Sequence, residues 1–145
     1  MSRRRGILIV LGGVIIAVFA GGLLLMRQPG EPSETIAVPS GQVVQFQEVV
    51  WGQRGVGGLT VRFRFLAPEI AREGGRINFE EAEDDMQYLC DNYALSRISD
   101  LGPRPAQVII SLANRAVEFG TADPSVTQFF EAYRIEGDAC IWEGL

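Results

Sequence analysis

Two cysteines, a run of carboxylates and a pair of arginines are the side chains of this 145-residue chain whose types and spacing could do chemistry. Cys90 stands in YLCDNYAL and Cys140 in DACIWE. A lone thiol is a nucleophile only as thiolate, usually activated by a neighbouring histidine, and the chain has no histidine. Two thiolates without imidazole leave a zinc or iron–sulfur coordination sphere incomplete. A crosslink between Cys90 and Cys140 is the remaining chemistry, provided that this part of the chain sits where disulfides persist. EEAEDD at 80–85 sets Glu80, Glu81, Glu83, Asp84 and Asp85 in six positions. Such a run could hold a cation or pair carboxylates for glycoside cleavage. A helix start offers no carbonyl ligands and no pocket, so the expectation is a solvated first turn answering the helix dipole. Docking of a basic protein on that turn is the alternative. Arg62 and Arg64 project from one strand face and could clamp a carboxylate or phosphate, or pair with neighbouring glutamates.

The rest of the inventory is restrictive. All 13 Lys+Arg residues are arginine. Without lysine or histidine the chain lacks the Ser–His, Cys–His and Ser–Lys pairs, Schiff-base lysine, the P-loop lysine, and imidazole ligands for metal or haem. No catalytic residue, metal or cofactor is therefore expected, and a carboxylate-dependent hydrolase on Glu80–Asp85 is the residual enzymatic reading. Beyond residue 27 the chain carries nine arginines against all 18 acids, a net charge near −9. That charge argues against nucleic acid as a partner.

The elements that must position these groups begin with ILIVLGGVIIAVFAGGLLLM, residues 7–26, which carries no charge. As a helix it is about 30 Å long, the thickness of a bilayer's hydrocarbon core. Arg3, Arg4 and Arg5 precede it and only Arg27 follows closely, which keeps the N-terminus in the cytoplasm and sends the rest across. The rival is a cleaved leader ending at VFA, 18–20, against which the apolar run continues to Met26. Gly13, Ala17 and Gly21 recur every fourth residue and form a smooth stripe for a second helix, either a partner's or another copy's. Residues 1–27 thus read as cytoplasmic tip and transmembrane anchor, 28–40 as a Pro-rich linker, and 41–145 as one periplasmic domain.

Within that domain, Val44, Phe46 and Glu48 alternate with Val43, Gln45 and Gln47, and Leu59, Val61, Phe63 and Phe65 with Thr60, Arg62 and Arg64. These are two strands of a hairpin joined by the flexible GQRGVGG tip. Asn78 followed by Glu81 is a capping-box pattern for a helix burying Ala82, Met86, Leu89, Cys90 and Tyr93. DLGPRP ends it. QVIISL is a buried strand, AVEFG a short partner strand, and Asp123–Pro124 a helix start leading to the stripe Val126, Phe129, Phe130 and Tyr133. A last strand holds Cys140 and Trp142 after a Gly137–Asp138 turn. The expectation is an α+β fold: an antiparallel sheet with two helices packed on one face.

VVWGQRGVGGLTVRFRFLAPEI, DMQYLCDNYAL and QFFEAYRIEGDACIWE together resemble a family of small, singly anchored exported proteins of alphaproteobacteria, described only as a domain of unknown function. The resemblance covers most of residues 38–144, includes both cysteines, implies an envelope location and transfers no catalytic residue. The functional expectation is an accessory protein of the bacterial inner membrane that assists assembly or stability of a larger complex. Its contacts would be Gly13, Ala17 and Gly21 in the bilayer, and Glu80, Glu81, Asp84, Asp85, Arg62, Arg64 or the hairpin tip outside. A binding module for a small anionic or cell-wall ligand, using Arg62, Arg64 and aromatic residues such as Trp51, is the alternative.

Overall fold

The computed structural model describes residues 34–52 and 57–144. Six strands form one sheet in chain order: β1 (Thr35–Ala37), β2 (Val43–Trp51), β3 (Thr60–Leu66), β4 (Gln107–Ala113), β5 (Gln128–Glu136) and β6 (Ala139–Trp142). β1, inside the stretch read as linker, pairs with β2 from Thr35 opposite Gln45 to Ala37 opposite Val43. The hairpin of β2 and β3 forms, with the expected alternation kept in β3 and broken in β2 between Phe46 and Glu48. The sheet is mixed rather than antiparallel throughout, because β3 and β4 run parallel from Thr60 opposite Gln107 to Leu66 opposite Ala113. Parallel neighbours need a long crossover, and the helix supplies it.

That helix is continuous from Phe79 to Leu101: α1 (Phe79–Leu89), a π-helical turn (Cys90–Ala94) and α2 (Leu95–Leu101). Asn78 caps it through a complete capping box, its side chain accepting from the Glu81 N–H at 3.0 Å while its own N–H donates to Glu81 Oε2 at 3.0 Å. Ala82, Met86, Leu89, Cys90 and Tyr93 are all buried, as the spacing required. They cover one sheet face, against Val44 of β2, Val61, Phe63 and Phe65 of β3, Val108, Ile110 and Leu112 of β4, and Tyr133 of β5. The π turn carries Cys90, Tyr93 and Ala94 inward together, and Tyr93 packs on Phe46, Phe63 and Phe65 with ring centroids 5.4–6.4 Å apart.

The second packed helix expected after Asp123–Pro124 does not form. Val126, Phe129, Phe130 and Tyr133 do have helical spacing, yet Gln128–Glu136 is β5. Asp123 caps no helix; its carboxylate accepts from Ser125 N and Ser125 Oγ in a tight local turn. Those bonds, first among the causes, hold the Asp123 carboxyl below its ordinary value. β4 is largely buried along both faces and needs a partner on its open edge, and the Phe/Tyr/Ile-rich 128–136 run suits that role. Its inward set is Phe129, Glu131, Tyr133 and Ile135, so a buried charge hid the period of two. Glu131 is acceptable inside because the Trp142 indole N–H donates to it at 2.6 Å. AVEFG is likewise no strand; residues 114–127 form a loop. Gly137, at φ 58°, turns β5 into β6 as expected.

The apolar run 7–26, with Gly13, Ala17 and Gly21, lies outside the described residues. Among the described residues no helix is long and apolar enough to cross a membrane.

Candidate functional site

Cys90 and Cys140 form a disulfide, with Cα atoms 6.0 Å apart. It joins the start of the π turn to β6, the last strand of the sheet. Asp91 accepts the Cys140 N–H at 2.8 Å, and Gln87 donates both to the Cys140 carbonyl at 3.0 Å and to Asp91 at 2.8 Å. Covalent and polar ties thus converge on one point, and the thiols are spent on architecture.

The carboxylates of the helix start divide by face. Glu80, Glu81 and Asp84 are exposed, whereas Asp85 is fully buried. The expectation that all five splay into solvent fails at Asp85 because a period of 3.6 turns it inward with Ala82, Met86 and Leu89. Its oxygens accept from Ser40 N at 2.9 Å, Ser40 Oγ at 2.6 Å and Gln42 Nε2 at 2.7 Å. Asp85 is therefore a latch for the β1–β2 turn and not a surface contact. Among the described residues no group of three or more His, Cys, Asp or Glu side chains is placed to hold a metal ion.

The face of the sheet away from the helix carries the arginines. A bulge at Gln47 shifts the register of β2 between Phe46 and Glu48. One extra residue reverses the alternation beyond it, so Val49 and Trp51 rejoin the core and Glu48 moves to the open face opposite Arg64. Arg64 is 5% exposed and matched: one guanidinium nitrogen donates to Glu48, another to the Val117 carbonyl at 2.7 Å. Arg62 is different. Among the described residues its side chain has no hydrogen bond and no ion pair. Its guanidinium carbon lies 5.8 Å from the Phe119 ring centroid and 5.5 Å from that of Phe130. Burial, and secondarily the charge of Arg64, holds the Arg62 guanidinium below its ordinary value. The loop after β4 folds over both arginines, with Phe119 also 5.6 Å from Arg64. Between loop and sheet is a recess of about 280 Å³ lined by Arg62, Arg64, Ser111, Glu118, Phe119 and Gln128, among others.

Sequence reasoning reached the arginines and missed their surroundings. Trp51, proposed as their aromatic companion, lies on the opposite face of the sheet, near Gly102 below the end of the helix. Phe119 and Phe130 take that place, at 53% and 45% exposure. Reading 128–136 as a strand would have found Phe130, since β5 sets it beside Ser111 on β4. Phe119 sits in a loop, and no periodicity points to it.

Fold and site together define a small α+β domain with one helix on one face of a mixed sheet, a helix-to-strand disulfide, and a cationic, aromatic recess on the other face. The chain belongs to the family of unknown function DUF6497, whose model matches residues 22–145. No curated protein and no solved structure matches it.

Proposed function

We propose that the chain is a single-span accessory protein of an alphaproteobacterial inner membrane. Residues 7–26 form the span, the N-terminus stays in the cytoplasm, and the domain beyond residue 28 works in the periplasm by making contacts. The observation that carries this reading is the Cys90–Cys140 bridge. Disulfides persist in the periplasm and are rare in a reducing cytosol, and the arginines ahead of the apolar run send the same residues to that side. Contact-making draws support from the Gly13, Ala17 and Gly21 stripe and from Glu80, Glu81 and Asp84, which crowd the exposed first turns of the helix. Assembly or stabilisation of a larger membrane complex, or self-association through the anchor, is the concrete form of this role.

Crosslinking of the tagged full chain in native membranes tests it. A discrete species well above monomer mass is expected, and it weakens several-fold in the Gly13→Leu/Gly21→Leu variant, whose added side chains hold a second helix off. Undiminished crosslinking in that variant, or a monomer alone in the wild type, goes against the proposal.

A second reading, a binding module for a small anion, is favoured by one specific observation: the unmatched guanidinium of Arg62 between Phe119 and Phe130.

A further inference from the structure

We propose that the recess over β3 and β4 binds a small organic monocarboxylate with a flat apolar body, whose carboxylate Arg62 and Ser111 hold while the body lies along the Phe119 ring. The inference rests on the reading of the domain as an anion-binding module and names the chemical class it would take.

Polar groups without partners set the recognition. A guanidinium presents five donors in a planar fork that matches a carboxylate edge, and none of those of Arg62 is used by the described residues. Ser111 is 5% exposed, lines the same recess, and its hydroxyl has no hydrogen-bond partner among the described residues. Both groups border the same recess, and one acceptor there answers the guanidinium donors and the hydroxyl together. Most of the other arginine side chains in the described residues are already engaged: Arg64 with Glu48, Arg76 with Glu69, Arg97 with Glu34, Arg115 with Asp123 and Arg134 with Glu136.

Charge decides between a monoanion and a dianion. Glu48 already matches Arg64, so the recess offers one unmatched positive charge. Glu118 lines its wall, and the chain beyond residue 27 is near −9 overall. A phosphate dianion would bring a second negative charge into an acidic surround with nothing to meet it. Size and polarity describe the remainder of the ligand. At ~30 Å³ for each water-sized group, the recess of about 280 Å³ holds roughly nine such groups. Phe119 and Phe130 offer exposed ring surface beside the guanidinium, which favours a flat apolar body over a hydrated one.

Titration calorimetry of the full chain in mild detergent at constant ionic strength tests this, with benzoate as probe and acetate and inorganic phosphate for comparison. Benzoate is expected to saturate one site, with acetate and phosphate at least tenfold weaker. Arg62→Gln removes the charge-assisted bonds and weakens benzoate by about tenfold or more, while Arg76→Gln, outside the recess, leaves it unchanged. Phe119→Ala, at a half-exposed loop position clear of the core, weakens it several-fold and serves should Arg62→Gln fold poorly. Unchanged benzoate binding in a folded Arg62→Gln protein overturns the proposal, as does unchanged binding in Phe119→Ala. Arg62-dependent binding of phosphate in preference to benzoate overturns the ligand class and leaves the anion site standing. Saturation by none of the three overturns both.

Discussion

Replacing both Cys90 and Cys140 by alanine is expected to lower the stability of the folded body by about 4 kcal/mol, a fall in Tm on the order of 15 °C. The bridge spans 50 residues of chain, and closing a loop of that length removes configurational freedom mainly from the unfolded state. The released chain also exposes more surface when unfolded, so the urea m-value should rise as the midpoint falls. Some local order should survive, because Asp91 and Gln87 still hold the Cys140 backbone to the helix. Urea and thermal unfolding of the full chain, wild type against variant, reads all of this. Equal midpoints would mean that the crosslink adds nothing to the fold.

The second large effect is expected at Asp85→Ala, about 3 kcal/mol. The substitution removes a carboxylate that accepts from Ser40 N, Ser40 Oγ and Gln42 Nε2. Bonds to a charged acceptor contribute about 1.5–3 kcal/mol each, and a buried donor left behind costs its desolvation. Gln42 is 3% exposed and its Oε1 already has no partner, so its amide would be unmatched at both ends. The damage should be directional. β1 is three residues long and the latch pins the turn that follows it, so its amides should exchange with deuterium well before those of β3 and β4. Asp85→Asn keeps the shape and one acceptor, and should fall between wild type and alanine. A loss at Asp85→Ala no larger than at exposed Asp84→Ala would contradict the latch.

How far the chain was legible before its structure depended on which physical signal each segment carried. Strict alternation in 59–65 and the cap at Asn78 are local signals, and both elements formed where those signals lay. The cysteines were placed by elimination and by the burial stripe of the helix. β5 was misread because its charged Glu131 faces inward, satisfied by a tryptophan eleven residues on; single-sequence periodicity does not contain that compensation. The parallel pairing of β3 and β4 is a tertiary choice, made when one long helix covers a face that two were expected to share. The bulge at Gln47 is a one-residue event, yet it decides that Glu48 neutralises Arg64 and leaves Arg62 as the unmatched charge. Arg62 and Arg64 looked equivalent in the sequence because what separates them comes from other strands and from a loop.

The proposed role depends most directly on where residues 28–145 mature, and the state of the two sulfurs in living cells measures that. Cells of a native host are quenched in acid, free thiols are alkylated with a mass tag before any reduction, and the full chain is resolved by mobility. Export predicts an untagged Cys90–Cys140 pair that becomes doubly tagged only after reductant, in protein recovered from the membrane fraction. Two tagged thiols without reductant would place the domain in the reducing cytosol and contradict the account.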